Sequence, residues 1–297
     1  MSALANARPA TTAELGEILR DAHDRHTRVR IAGRGTWPGR NASVAPDAAP
    51  LDVSALTGIL EYVPGDLTLT ARTGTTIAEI DAATAAHGQW CPLLPWGGDD
   101  GSLGATLATA THGPCSASLG APRDHAIGLE FVDGTGAVVR AGGRVVKNVA
   151  GFDLTRLLVG SWGTLGAITE VSVRLRARPA VDETWSVAID GDDAGARLGN
   201  FRRGPLAPLS IEEFEGRTLV RIGGNAAFVA ASRAVVKALG AAEARDAAEW
   251  TKFRASDPRP RAPLAENALA DALSLRVKKQ FDPRHILNTG IMGEAYP

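Results

Sequence analysis

Gly160-Ser161-Trp162-Gly163-Thr164-Leu165-Gly166-Ala167-Ile168-Thr169-Glu170 is the stretch on which the reading of this 297-residue chain turns. It opens as a glycine-rich turn and passes without a break into a strand. From Ile168 to Arg176 the residues alternate, with Val171, Val173 and Leu175 on one face and Ser172, Arg174 and Arg176 on the other. A short helix leads into it through two glycine-rich turns. Upstream, Ile127 to Val132 and Ala137 to Ala141 flank Asp133-Gly134-Thr135-Gly136 and read as a hairpin.

Two earlier clusters share this glycine-rich texture. Ile31-Ala32-Gly33-Arg34-Gly35-Thr36-Trp37-Pro38-Gly39 follows a strand, and bare backbone there lets N–H groups converge on a phosphate. Pro38 stands where a Rossmann loop needs glycine, so the GxGxxG spacing fails. A plain strand-to-turn connection reads equally well. Gly97-Gly98-Asp99-Asp100-Gly101-Ser102-Leu103-Gly104-Ala105-Thr106-Leu107-Ala108-Thr109-Ala110-Thr111 is rich in small residues and hydroxyls, and suits either a flat or anionic ligand or a tightly packed helix start. GxxxxGK[ST] is absent. Three loops spaced along the chain suggest one large ligand lying across all of them.

Local signals fill in the rest. Thr11 with Glu14, and Thr76 with Glu79, have capping-box spacing at the starts of helices. Strands flank Pro64-Gly65-Asp66, a turn sequence. After Arg178-Pro179 the glycine clusters stop, and the order becomes strand, helix, strand, strand, helix, weak strand: a βαββαβ unit of ferredoxin-like type. A long helix from about Leu264 to Gln280 precedes Phe281-Asp282-Pro283 and a short tail.

Composition sets outer bounds. Lys plus Arg total 32 against 33 Asp plus Glu, a net charge of −1, with no basic stripe of the kind nucleic acid requires. Hydrophobic residues make up 44 %, enough for a sizeable core. Cys91 and Cys115 are too few for a disulfide scaffold or an iron–sulfur cluster, which points to a reducing cytoplasm. The opening residues have no signal-peptide core, and no apolar run approaches the roughly 18 residues of a membrane span. The expectation is a soluble or peripheral chain without a transmembrane segment.

The run Gly143-Arg144-Val145-Val146-Lys147-Asn148-Val149-Ala150-Gly151-Phe152-Asp153-Leu154, followed by Gly160 to Glu170, resembles the FAD-binding domain of the vanillyl-alcohol oxidase and para-cresol methylhydroxylase (PCMH) superfamily. Within it, the chain is similar to the FAD-binding subunits of bacterial glycolate oxidase. Phe281-Asp282-Pro283-Arg284-His285-Ile286-Leu287-Asn288-Thr289-Gly290 resembles the closing FDPxxILNPG of the family. The resemblance implies an α+β fold: a two-subdomain PCMH-type FAD-binding domain over 1–178, a short ferredoxin-like βαββαβ cap with its C-terminal helix over 179–280, and a tail over 281–297 returning to the first domain.

It also implies a non-covalent FAD, because the first loop has no His or Cys to attach the flavin. Carried over by position, Gly33, Arg34, Gly35 and Thr36 would cradle the pyrophosphate. Gly101, Ser102, Gly104, Ala105 and Thr109 would line the pyrophosphate and ribityl chain, and Gly163, Gly166 and Ile168 would approach the flavin through backbone groups. Two buried phosphate charges need several N–H donors or a cation, for which Arg34, Arg40 and Arg123 are candidates. Trp162 departs from the Glu common in the family's GSEGTLG, and Thr289 from Pro in a tail that need not touch the cofactor.

Oxidising a 2-hydroxy acid also needs a base and a cation for the carboxylate. Residues 180–280 contain no His, and His23 and His26, placed on one helix face, lack a third metal ligand; no metal site is expected. Catalytic residues are therefore unassigned, with Lys147 the candidate to mutate first. Three readings remain. The chain is the FAD-binding subunit of a glycolate-oxidase-like complex, beside a second FAD-containing catalytic subunit and an iron–sulfur subunit, cytoplasmic and held at the inner face of the membrane through those partners. Alternatively it is a self-sufficient FAD-dependent 2-hydroxy-acid dehydrogenase anchored by Lys147 or Arg156, or a non-catalytic FAD-binding structural subunit.

Overall fold

The computed structural model of the chain describes residues 7–36, 44–143, 153–256 and 272–292. Helix α1 (Thr12–Asp24) starts where the Thr11 hydroxyl accepts from Glu14 N–H, and it buries Leu15, Leu19 and Ala22 at its 3.6-residue period. Strands β1 (Val29–Ala32) and β2 (Ala49–Asp52) pair in parallel. The hairpin of β3 (Ile59–Val63) and β4 (Thr68–Arg72) turns at Pro64–Asp66. Helix α2 (Ile77–Ala85) begins with a reciprocal capping box between Thr76 and Glu79, and the bonds from Thr76 hold the Glu79 carboxyl below its ordinary range.

Next come β5 (Gln89–Trp90), three short helices α3 (Leu103–Ala108), α4 (Ser116–Leu119) and α5 (Pro122–His125), and the hairpin β6 (Ala126–Val132) to β7 (Val138–Gly142). Helix α6 (Leu154–Leu158), β8 (Ala167–Arg174) and β9 (Arg176–Ala177) complete the glycine-rich half. Strands β3-β4-β8-β6-β7 form one antiparallel sheet in that order. Leu69, Phe131, Val171 and Val173 of this sheet pack against Ile77 and Ile80 of α2 and Leu103 and Leu107 of α3. That packing fixes where α3 and the loop into β8 lie.

Beyond Pro179, β10 (Val181–Ala188), α7 (Ala194–Arg203), β11 (Ser210–Phe214), β12 (Arg217–Gly224), α8 (Ala226–Leu239) and β13 (Ala241–Arg245) follow in chain order. Their strands form a second antiparallel sheet, β11-β12-β10-β13, cored by Val187, Val220, Ile222, Val229 and Val236. Helix α9 (Ala247–Ala255), unanticipated from the sequence, packs Trp250 and Phe253 against Trp90, Cys115 and Leu219, sealing the seam between the two halves. Its own periodicity is weak, since its apolar residues answer to this seam rather than to a helix stripe.

Helix α10 (Ala272–Phe281) is the described part of the long helix expected from about Leu264; residues 257–271 lie outside the described residues. Behind α10 the tail bridges β1 in parallel at Leu287: Val29 N–H donates to Ile286 O at 2.8 Å and Asn288 N–H to Val29 O at 3.0 Å. His23 and His26 do not share a helix face, because α1 ends at Asp24 and His26 sits at φ 56° beyond it. Among the described residues no group of His, Cys, Asp and Glu is arranged to hold a metal ion, and no helix is long and apolar enough to cross a membrane.

Candidate functional site

The three glycine clusters meet. A Cβ built on Gly33 would lie 3.1 Å from Ser102 Oγ and 3.8 Å from Ala105 Cβ, which brings the loop after β1 against the start of α3. The third cluster joins the second through Gly160 N–H to Leu107 O (3.0 Å) and Trp162 N–H to Ala108 O (2.8 Å). Asn288 closes the ring: its side chain accepts from Ile31 N–H at 2.7 Å and donates to Trp162 O at 2.7 Å. The cleft that these segments line is open to solvent.

Gly33, Gly35, Thr36, Gly101, Ser102, Gly104, Ala105, Thr109, Gly163, Gly166 and Ile168 all line this cleft. Arg34 does not. Arg123 is exposed on α5 away from the lining, and Arg156 is exposed and paired with Asp153 at 3.3 Å. Lys147, Arg40, Trp37 and Phe152 lie outside the described residues. Sequence reasoning passed over Val53, Thr73, Pro95, Trp96, Asn288 and Ile291, which complete the lining. The tail, for which the sequence required no contact with the cofactor, reaches the cleft through Asn288 and Ile291. Its signal was present in the Leu287-Asn288 pair but not its destination, more than 100 residues away in sequence.

The chemistry of the walls is uniform. The N–H groups of Gly33, Gly35, Thr36, Gly101 and Ser102 donate to no acceptor among the described residues, although all sit on the lining. Leu103 and Gly104 have instead given theirs to Thr75 O and Thr73 O, both at 2.8 Å, which locks α3 onto the sheet. The hydroxyls of Thr36, Ser102, Thr106, Thr109 and Thr111 add further polar groups, and no titratable side chain lines the described cleft. Such a slot can receive an anion through main-chain donors and a flat ring against small residues. Among the described residues its lining offers no acid or base. The cysteines contribute nothing either, since burial pushes Cys91 up to about 12 and Cys115 up to about 11, leaving both as unreactive thiols at neutral pH.

Trp162 carries backbone strain. At φ 56° it occupies the left-handed region that a bulky residue rarely adopts, and Gly163 follows it at φ 71°. Bonds on both sides of Trp162, from Ala108 O and Asn288 Nδ2, hold it there. Replacing Asn288 with Ala removes the partners of Ile31 N–H and Trp162 O together. A loss of about 2 kcal/mol of unfolding free energy is expected, at roughly 1 kcal/mol per buried bond. Denaturant melts read it, and an unchanged midpoint would show that Asn288 does not hold the clusters together.

Residues 3–142 match the family described as FAD binding domain. Over 184 residues the chain is 35 % identical to glycolate oxidase subunit GlcE of Escherichia coli (strain K12), covering 62 % of this chain and 53 % of that protein. It is 31 % identical over 217 residues to glycolate oxidase subunit GlcD of Bacillus subtilis (strain 168), covering 72 % and 46 %. A D-2-hydroxyglutarate dehydrogenase of Xanthomonas citri pv. viticola is 28 % identical over 219 residues, covering 74 % and 46 %. Among solved structures, an alkyldihydroxyacetonephosphate synthase shares the fold at a TM-score of 0.70 and 18 % identity, over 84 % of this chain and 53 % of that one. The chain spans about half the length of the curated relatives it matches.

Proposed function

We propose that this chain, which carries an FAD-binding domain and whose relatives include oxidases and dehydrogenases of hydroxy acids, is the FAD-binding subunit of a glycolate-oxidase-like complex. In this reading it takes part in oxidising a 2-hydroxy acid such as glycolate, beside a second FAD-containing catalytic subunit and an iron–sulfur subunit that accepts the electrons. Its place is the cytoplasm, at the inner face of the membrane through those partners. The observation that carries the reading is the convergence of three glycine clusters on one cleft, with the N–H groups of Gly33, Gly35, Thr36 and Ser102 on its lining meeting no acceptor among the described residues.

Non-covalent FAD fits those walls, and when bound it supplies the acceptor for the hydride of the substrate. Gly33, Gly35 and Thr36 hold the pyrophosphate in this assignment, and Arg34, which does not line the cleft, leaves it. Gly101, Ser102, Gly104, Ala105 and Thr109 run along the pyrophosphate and ribityl chain, and Gly163, Gly166 and Ile168 lie against the flavin. Backbone donors take the place of a cation, because no Arg or Lys lines the described cleft. The βαββαβ unit acts as a reduced ferredoxin-like cap, with boundaries at 1–178, 179–280 and 281–297.

The same lining favours a subunit over a self-sufficient dehydrogenase. Neither a general base nor an anchor for the substrate carboxylate stands among the described residues of the cleft, and Arg156 points its charge at Asp153. Absorbance spectra of the purified chain, alone and co-expressed with partner subunits, test this. The isolated chain is expected to be yellow and to keep its colour with glycolate, while the assembled complex bleaches. Bleaching of the isolated chain would favour the dehydrogenase, and a chain left colourless after refolding with FAD would remove the assignment altogether.

A further inference from the structure

The cleft has a fourth wall, Pro95-Trp96-Gly97-Gly98, and it is held from outside the glycine-rich half. Arg254, near the end of α9, is 4 % exposed. Its Nε and Nη2 donate to Pro95 O at 3.2 and 2.9 Å, and its Nη1 and Nη2 donate to the two Asp99 carboxylate oxygens at 3.2 and 2.7 Å. Its own carbonyl accepts from Gly97 N–H at 3.0 Å. One residue earlier in the same helix, Phe253 meets the Trp96 ring edge-on at 5.0 Å. A single residue therefore brackets the wall at Pro95, Gly97 and Asp99.

At its far end the segment is also tied to α2, where Asp99 O accepts from Ala78 N–H at 3.0 Å, but Pro95 to Gly98 have fewer anchors. Trp96 N–H reaches His112 O only at 3.5 Å, and Gly97 and Gly98 both lie in the left-handed region, at φ 87° and 91°, where the chain turns freely. A planar fork with fixed donor directions meets the carbonyl and both carboxylate oxygens with paired N–H groups, an arrangement that the shorter, single-centred lysine ammonium does not reproduce at the same positions. Arg221, also in the seam, makes a useful contrast. It pairs with Asp182 at 2.6 Å and lies between Trp90 and Trp250, touching no cleft wall.

We propose that Arg254 is a positioning residue: through Pro95 and Asp99 it sets the fourth wall of the cleft, and so ties cofactor binding to the segment that follows the βαββαβ unit. The cofactor half of this statement rests on the FAD reading above; the wall-setting half does not. The cleft is thus completed by the second half of the chain rather than by the FAD-binding domain alone.

Two measurements test it on the full chain. Hydrogen exchange without FAD reads the wall itself: Arg254→Lys is expected to speed exchange in peptides covering 95–101 and leave those covering 160–168 unchanged. FAD titration reads the consequence: Arg254→Lys and Asp99→Asn are each expected to weaken FAD about tenfold, and the double variant to be no worse than the singles, since they break one linkage. Arg221→Lys is expected to lower the melting temperature without changing FAD affinity. Asp99→Asn, at a half-exposed carboxylate, keeps the test decisive where Arg254→Lys fails to fold. Unchanged exchange at 95–101 overturns the proposal, as does faster exchange with unchanged FAD affinity, or an equal loss of affinity in Arg221→Lys. A wild-type chain that takes no FAD removes the functional reading, and the exchange result still decides whether Arg254 sets the wall.

Discussion

Lys278→Met is expected to melt about 10 °C below the wild type, from a loss of roughly 3–5 kcal/mol at 2–4 °C per kcal/mol for a domain of this size. Lys278 and Asp282 stand one helical turn apart with side chains 1 % and 0 % exposed and their charges 3.3 Å apart. The ammonium also donates to Thr164 O at 3.2 Å and Leu287 O at 3.1 Å, while the carboxylate accepts from Ile286 N–H and Leu287 N–H, both at 2.9 Å. Removing the lysine strands a buried carboxylate and frees Thr164, which lies in the third glycine cluster. Asp282→Ala breaks the same pair from the other side, so the double variant should cost much less than the sum of the singles. Additive losses, or a Lys278→Met melt within 2 °C of wild type, would mean that the pair does not act as one unit.

That pair marks the boundary of what the sequence disclosed. Features written in neighbouring residues were legible: the caps at Thr11 and Thr76, the hairpin around Asp133-Gly134, and the alternation into β8 each depend on residues a few positions apart. The clusters at Gly33, Gly101 and Gly163 were visible as clusters for the same reason, because a run of side-chain-poor backbone is a local property. Contacts that span the chain were not. Asn288 meets Ile31 across 257 positions, and Arg254 meets Asp99 across 155, and neither partner carries a mark of the other. Arg254 in particular reads as one more surface cation at the end of an unpatterned helix, and its burial follows from Trp250 and Phe253 filling the seam. Trp162 shows the converse. Its identity stood out against the family pattern, whereas its left-handed backbone follows from bonds to Ala108 and Asn288 that only the fold supplies.

Gly33→Val is expected to weaken FAD binding at least a hundredfold, about 3 kcal/mol, while the chain still folds. The reason is space rather than backbone strain, since Gly33 lies outside the left-handed region. A Cβ there already presses Ser102 Oγ at 3.1 Å, and the two methyls of valine extend into the gap between the β1 loop and α3. Gly33, Gly101 and Ser102 line the cleft here, and their N–H groups meet no acceptor among the described residues. A phosphate that needs several of them at once loses all if the two loops are wedged apart. Gly33→Ala, with a Cβ that a rotation of the Ser102 hydroxyl can accommodate, should cost less than tenfold, so the series is graded by volume. Gly195→Val provides the reference, because a Cβ at Gly195 meets nothing within 4 Å and its helix α7 packs in the other half of the chain. Flavin titration and thermal melts on the three variants separate the effects. Gly33→Val binding FAD within threefold of wild type would mean that the phosphates lie elsewhere, because an occupied cradle of this width cannot also hold a valine.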